Sequence, residues 1–572
     1  MASRAAESSR SQISDLNSPI GYIIGGGLKE SFRARLTIDP LAVQEGAFVV
    51  IESGAYLFYG LVTDMLLGAT DPRFADEQAE ARFSPEIARA LHGKTLFTNL
   101  EILPALMLER GPDPASPEYA AWLRTHPQQS ARPVPVKTVP AHHSTVRLAS
   151  AGDIAEIFGK PGDEGKFIIG YTREQGHPVC VDLKQLVQRS AGVFGATGTG
   201  KSFLTRLVLA GLIQHNKASV LVLDMHNEYG YDSADSDTGM AVPGLKSKFA
   251  SRVRVVGLGR GATIRGAAPD FNLEIAEGDI STADIELLTR ELNLKETTPT
   301  TLDALWDTFK GEWFSQFKAM TQDVITTEDG KKVPAADSVA AWAISHGVNV
   351  MAAEGLHSKL RRLFNKAYIV PKPAADTVRQ ITESLAVGQH MVLSFAGFDS
   401  DLDYLLVSNL LTRKLRETWQ QKTDAFRASG KDEPRQLVIV LEEAHKLLNR
   451  EMAAQTTFST IARELRKYYV TLLVVDQRPS QIYDEVMSQL GTRISGWLGD
   501  EDDIHAVLSG LAGREALRGM LARLQPKEEV LLLGWGVPMP LPVRSRRYDD
   551  AFWKDLLGTK KGSGQGLKDL GF

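Results

Sequence analysis

Cysteine is nearly absent: the chain of 572 residues has one, Cys180. No internal disulfide can form, and a cysteine-based zinc site is not expected. So little cysteine fits a reducing, cytoplasmic setting. Long apolar runs are missing too. A membrane-spanning helix needs about eighteen or more consecutive apolar residues. The longest candidate, Tyr56 to Leu67, is broken by Asp64, so no membrane association is expected. The first stretch, Met1 to Pro19, is polar and serine-rich without the apolar core of a secretory signal, and reads as a disordered tail. An excess of positive charge is lacking as well. With 65 Lys+Arg against 70 Asp+Glu the net charge is −5. Nothing global favours nucleic acid, so any DNA contact must come from local basic positions, such as the lining of a pore.

What is present is a globular composition, 43% hydrophobic and 24% charged, in a chain long enough for two to four domains. From residue 20 to about 150 the short runs Tyr22–Ile24, Phe32–Ile38, Phe48–Ile51, Leu57–Thr63 and Val134–Thr138 are β-branched or aromatic, with glycines between several of them. That pattern predicts a small barrel or sandwich. The stretch Asp71 to Ala131 within it reads as a more helical insert. From about residue 165 the pattern becomes alternating strands and helices. Ala191–Phe194, Ser219–Asp224, Arg252–Leu258, His390–Phe395, Gln436–Leu441 and Val470–Asp476 are continuous apolar runs, as strands covered on both faces require. Thr282–Leu294, Thr301–Met320, Ser338–Met351 and Gly355–Phe364 have helical period. The expected organisation is a tail over 1–19, a barrel with helical insert over 20–164, an α/β core in two parts over 165–274 and 388–539, a helical-bundle insertion over 275–387, and a C-terminal tail over 540–572, mobile from Gly558 onward.

Gly195-Ala196-Thr197-Gly198-Thr199-Gly200-Lys201-Ser202 is a complete phosphate-loop pattern, preceded by the strand Ala191–Phe194 and followed by an amphipathic stretch, Phe203–His215. Glycines let successive backbone N–H groups turn toward an anion, and the following helix adds its positive end. Lys201 reaches the outer phosphates and Ser202 ligates Mg²⁺. These eight residues and Phe203 are the expected ATP-binding set. The run Gln436–Leu441 delivers Glu442-Glu443-Ala444-His445. An acidic pair at a strand end is often only a solvated loop, but beside a phosphate loop it supplies metal binding and water activation. Glu442 is assigned to the Mg²⁺ shell and Glu443 to water activation. The usual first acid is Asp, one methylene shorter. Gln477, after the strand Thr471–Asp476, is placed to sense the γ-phosphate, and Asp224-Met225-His226-Asn227-Glu228-Tyr229 follows a strand near the same end. The 242 positions from Lys201 to Glu443 exceed what a minimal core needs, and the helical insertion accounts for the surplus.

These residues resemble the HerA branch of the FtsK–HerA motors. The resemblance is carried by Arg189 through Ser202, by Glu442-Glu443-Ala444-His445, by Ala462-Arg463-Glu464-Leu465-Arg466-Lys467-Tyr468 and by Val475-Asp476-Gln477-Arg478-Pro479-Ser480. Gly21 to Val62 looks like that family's small HAS barrel. The resemblance implies a RecA-like P-loop core and an ATPase that forms a homo-hexameric ring with ATP between neighbouring subunits. It implies that Arg189 and Arg466 reach the γ-phosphate, from the same or the adjacent subunit. It also implies that the basic segment Pro540–Arg547 folds back toward the nucleotide. The implied function is translocation of double-stranded DNA, with a nuclease or other effector docked on the barrel face, in DNA end processing or anti-phage defence. The acidic net charge leaves a second reading open, an ATP-regulated scaffold that organises a partner enzyme.

Overall fold

A computed structural model describes residues 18–70, 96–112, 116–125, 133–235, 239–453, 458, 461 and 465–558. Six strands form the N-terminal unit: β1 (Gly21–Gly26), β2 (Phe32–Leu36), β3 (Phe48–Ser53), β4 (Tyr56–Ala69), β5 (Leu96–Glu109) and β6 (Thr145–Leu148). They pair antiparallel in the order β1–β6–β3–β4–β5–β2, and β2 returns to β1, so the sheet closes into a barrel without a free edge. The two-residue period of a strand gives each wall two jobs. Val49, Ile51, Phe58, Val62, Leu100 and Ile102 fill the barrel. Phe48, Val50, Leu57, Tyr59 and Leu61 point outward and pack on the core of the rest of the chain. At the bend of β4, Gly60 faces Pro104 across a register shift, and a Cβ on Gly60 would lie 2.7 Å from the Leu103 carbonyl oxygen.

The barrel departs from the sequence reading in three places. Leu96–Glu109, inside the stretch expected to be helical, is a strand of 14 residues. Its Leu, Met and Glu residues favour helix in isolation. Pairing with both β4 and β2, and burial of Leu100 and Ile102, override that preference. Val134–Thr138 contributes only the short pair Val134–Pro135, laid on β5 outside the closed ring. The ring is closed instead by β6, which the residue pattern does not announce.

Twelve strands form the second sheet: β7 (Lys166–Tyr171), β8 (Pro178–Asp182), β9 (Ala191–Phe194), β10 (Ser219–Asp224), β11 (Val253–Leu258), β12 (Phe271–Leu273), β13 (His390–Ser394), β14 (Leu437–Glu442), β15 (Val470–Asp476), β16 (Thr492–Ser495), β17 (Glu529–Gly534) and β18 (Leu541–Ser545). Their order is β12–β11–β13–β10–β14–β15–β9–β16–β17–β18–β7–β8. The run from β12 to β16 is parallel and the rest antiparallel. Six of these eight parallel strands are the apolar runs read from the sequence, β12 and β16 being the two that were not, and the chain has the α/β, RecA-like core expected. The antiparallel extension beyond β16, formed by β17 and β18 with β7 and β8, was not foreseen. Residues 541–558, expected as a tail, supply β18 and the helix Asp550–Gly558, which buries Phe552 and Trp553. Positions beyond 558, and those before 18, lie outside the described residues.

Between β12 and the helix Thr377–Ala386 the chain leaves the sheet and forms the helical insertion, whose core holds Trp313, Phe314 and Phe317. Two of its helices break where the periodicity suggested continuity. Lys310, with φ +49°, separates Thr298–Phe309 from Trp313–Ala319. Gly347, with φ +68°, and Asn349, whose side chain accepts the Ala352 N–H at 3.0 Å, separate Val339–Ser345 from Val350–Phe364. A hairpin, Val324–Thr326 with Lys332–Pro334, also lies here, where no strand was expected.

Ile102 is completely buried inside the barrel and pairs with both Phe32 and Val62. Ile102→Ala is expected to lower unfolding free energy by about 2–5 kcal/mol, read from a denaturant midpoint. A change under about 0.5 kcal/mol, the size of an ordinary surface substitution, would contradict the packed interior.

Candidate nucleotide site

Strand β9 ends at Phe194 and the chain turns through the loop into the helix Lys201–His215. Gly198 and Gly200 have φ of +75° and +87°, where a side chain is strained. Gly200 also stands at the N-cap, so no side chain occupies the free N–H groups of the first turn. That end of the helix carries partial positive charge and unmade donors. Backbone contacts hold the loop from outside. Ala196 N–H donates to the Trp497 carbonyl at 3.0 Å, and Lys527 N–H donates to the Thr199 carbonyl at 3.2 Å. The Thr199 hydroxyl donates to the Ala196 carbonyl at 2.7 Å.

Lys201 Nζ is buried and makes no hydrogen bond. Glu443 Oε1 lies 4.0 Å from it. Burial holds the ammonium below its ordinary pKa, opposed by Glu443, Asp476, Glu442 and Glu228 in that order. A buried ammonium without a hydrogen bond is costly, and beside a ring of unused N–H donors the missing partner is an anion. The residues present therefore fit a nucleotide's phosphates.

Parallel strand order brings the other groups to the same end of the sheet. β14 ends at Glu442, and β15, ending at Asp476, lies between it and β9. Glu443 follows in the left-handed region, φ +45°, a conformation a glutamate adopts only when its surroundings impose it. Gln477 Nε2 donates to Glu443 Oε1 at 2.9 Å. A carboxylate only accepts, so this bond fixes the amide orientation and leaves Gln477 Oε1 facing the Thr197 hydroxyl, which donates to it. One amide thus connects the phosphate loop to the second acid. Asp476, fully buried, accepts the His445 N–H at 2.7 Å and lies 3.0 Å from His445 Nδ1. The same Nδ1 is 3.7 Å from Glu443 Oε2. The bond to Asp476 is the main cause that raises the His445 pKa.

Glu442 is turned the other way, toward β10. Its Oε2 lies 3.4 Å from His226 N, and its own carbonyl accepts the Tyr404 hydroxyl at 2.8 Å. Burial pushes its pKa well up, and the charges of Asp224 and Glu228 add to that. Asp224 accepts the N–H groups of Glu228 and Tyr229 at 2.8 and 3.0 Å, yet burial lifts its carboxyl to about 6. Three carboxyl groups, from Asp224, Glu228 and Glu442, therefore crowd one side of the site. Among the described residues no group of three His, Cys, Asp or Glu side chains is arranged to hold a metal unaided. Ser202 with an acid fits Mg²⁺, which keeps most of its ligands from phosphates and water.

Of the expected site residues, the phosphate loop, Glu443 and Gln477 converge, while Glu442 stands at the same strand end with its side chain turned toward β10. Phe203 sits on the loop's helix with its ring centroid 6.4 Å from that of Tyr548. The C-terminal segment therefore packs there through Tyr548, not through its arginines: Arg546 pairs with Asp555, and Arg544 and Arg547 are exposed. Arg189 and Arg466 do not reach the cleft of their own chain. Arg189 ends the helix Leu183–Gln188 and stacks on Trp535 at 4.3 Å, and Arg466 lies exposed in the turn Leu465–Tyr468. Each precedes a strand whose far end carries the site, and at about 3.3 Å per residue Arg189 is roughly 20 Å from Gly195. Ala462, Arg463 and Glu464 lie outside the described residues. Roles for His445, Asp476 and Tyr404 were not drawn from the sequence. The acid–X–His spacing after an apolar strand was the available signal for His445; Tyr404 had none.

The profile of the HerA helicase central domain matches residues 167–415. A DNA double-strand break repair helicase HerA of Sulfolobus acidocaldarius is 23% identical over 535 residues, 93% of each chain. Its counterpart from Saccharolobus solfataricus is 23% identical over 552 residues, 94% of each chain. Among solved structures, a bacterial conjugative coupling protein superposes with a TM-score of 0.44 at 13% identity, over 70% of this chain and 92% of that one, too loosely to inform the site.

The buried acids set a pH dependence. Asp224 rises from 3.8 to about 6 on folding, and Glu442 also rises, so in that range the folded chain binds more protons than the unfolded one. Stability therefore falls as pH climbs from about 4 through the raised folded-state pKa values of the two acids. In metal- and nucleotide-free buffer the melting temperature is expected to be higher at pH 5.5 than at pH 7.5. The Asp224→Asn, Glu442→Gln double variant should lose most of that difference. Equal slopes for variant and wild type would show that other groups cause it.

Proposed function

We propose that the chain is a HerA-type P-loop ATPase, a ring motor that drives double-stranded DNA through a central pore by hydrolysing MgATP, as its similarity to the HerA helicases supports. The observation that carries this reading is the buried Lys201 ammonium, which has no hydrogen-bond partner and faces Glu443 across a gap walled by unused N–H donors. Lys201 and the loop bind the β- and γ-phosphates, and Mg²⁺ lowers the charge barrier to attack on the γ-phosphorus when bound by Ser202 and Glu442. Glu443 takes the proton of the attacking water. Gln477, released from Thr197, follows the γ-phosphate and so reports its presence to Glu443. Arg189 and Arg466, on the opposite edge of the sheet, stabilise transition-state charge in the neighbouring subunit's cleft, which makes each site complete only in a ring. The relatives' repair names support DNA as the track. Among the described residues no helix is long and apolar enough to cross a membrane, and we assign the motor to the cytoplasm. A nuclease or other effector on the barrel face completes the proposed assembly, in DNA end processing or anti-phage defence.

Lys201→Ala should abolish hydrolysis. Glu443→Gln should still bind ATP but hydrolyse it at least about a hundredfold more slowly in steady-state assays. Normal turnover by Glu443→Gln together with loss in Glu442→Gln would exchange the two assignments.

Duplex DNA should raise the ATPase rate of the isolated ring, and Arg466→Ala subunits mixed with wild type should depress activity more than in proportion. A rate indifferent to DNA and raised only by a partner protein would favour the scaffold reading. Strictly proportional mixtures would remove Arg466 from the neighbouring site.

A further inference from the structure

The segment after the helix Arg514–Ala522 touches the barrel directly at its start and through Arg173 at its end, and touches the phosphate loop in its middle. At its start Arg523 donates to Glu45 Oε2 at 2.9 Å. Glu45 lies in the barrel loop that leads into β3. At its end Glu529 Oε2 accepts the Arg173 guanidinium at 2.5 Å, and that guanidinium also donates to the Glu45 carbonyl at 3.0 Å. Gln525 N–H donates to the same Glu529 oxygen at 2.9 Å and closes the segment into a turn. Lys527, inside this turn, has φ +67° and gives its N–H to the Thr199 carbonyl of the phosphate loop. A second contact starts one residue earlier. The Trp497 indole donates to the Ala522 carbonyl at 2.9 Å, and the Trp497 carbonyl accepts Ala196 N–H at 3.0 Å.

The loop is therefore anchored on both sides of Gly198, at Thr199 directly on the strap and at Ala196 through Trp497 to Ala522 at the strap's root, and both ends of the strap are tied to Glu45, one directly and one through Arg173. The geometry has a direct consequence. A trans peptide points its C=O and N–H in opposite directions. Fixing the Thr199 C=O on Lys527 aims the Gly200 N–H away from the strap, toward the side where the loop's donors gather. A shift of the strap rotates that peptide and with it the donor.

We propose that Arg523–Glu529 is a strap through which the barrel positions the phosphate loop, so that the Glu45–Arg523 pair sets nucleotide affinity without touching the nucleotide. The inference rests on reading the 195–202 loop as the ATP site. Of the two clamps, the Glu45–Arg523 pair is the one to test. The Arg523 side chain is 66% exposed and Glu45 19%, so water screens the pair from the Arg523 side and its loss adds little to the cost of folding. Arg173 and Glu529 are 11% and 13% exposed, so breaking that clamp endangers folding itself.

The test is equilibrium binding of a fluorescent ATP analogue with Mg²⁺ to the full chain, with assembly state matched by light scattering. Arg523→Ala and Glu45→Gln are each expected to weaken binding roughly three- to tenfold, with denaturation midpoints near wild type. The double variant should be no worse than the weaker single, and Arg523→Lys should retain affinity. Unchanged affinities, losses that multiply in the double variant, or losses matched by a fall in midpoint would each overturn the proposal. Lys201→Ala, run alongside, separates the two claims: if it alone loses the analogue, the site stands and the strap falls.

Discussion

A charged ammonium withdrawn from water without a hydrogen-bond partner is the constraint around which this molecule is arranged. Lys201 is held there by the loop and by the helix it begins, with acids that oppose the lowering of its pKa by burial but lie too far to satisfy it. The cost is tolerable only because the surrounding α/β core is large and apolar, and because an anion relieves it when nucleotide binds. Folding energy is stored as affinity for phosphate. The same arrangement explains why Glu443 adopts a strained backbone and why Gln477 is tied down on both sides. Without phosphate, Glu443, Gln477 and Thr197 satisfy one another, and Lys201 is left without a hydrogen-bond partner.

Strand order turns that local strain into a possible signal. β15 lies between the loop strand β9 and the acid strand β14, so the residue after β15 is the one position adjacent to both. Gln477 occupies it and has a donor and an acceptor at opposite corners of one rigid amide. Thr197 and Glu443 cannot both keep their bonds to it if the loop closes on a phosphate. Next to them, the His445–Asp476 pair holds the start of the segment after Glu443, so displacement there is passed along the chain past β14.

What was legible in the sequence was what local backbone geometry demands. Left-handed φ at 198 and 200 requires glycine, so the phosphate loop could be read residue by residue. Strands buried on both faces need unbroken apolar runs, so β9, β10, β11, β13, β14 and β15 stood out. Legibility ended where pairing rather than residue type decides. β5 is composed of helix formers and is a strand because β2 and β4 flank it. β16 to β18 are short, and their assembly with β7 and β8 joins segments far apart in the chain. The contacts of Trp497 and Lys527 to the loop are made by backbone N–H and C=O groups, which every residue has and no motif can record. The Glu-Glu pair was found but its geometry was not: the two side chains diverge, Glu443 toward the loop and Glu442 toward the acids beside β10.

That divergence bears on how one cleft can answer to several inputs. Glu443 is reached through Gln477 from the loop, and the loop is reached through Lys527 and Trp497 from the barrel side. Glu442 is reached through Asp224 and Glu228 from the other half of the sheet. Arg189 and Arg466 stand before β9 and β15, at the ends of those strands opposite the cleft. A site built this way has no single residue that senses everything. Each route ends on a different side chain of the cleft, Glu443 on the loop side and Glu442 on the β10 side, so the two halves of the sheet can adjust the two acids separately.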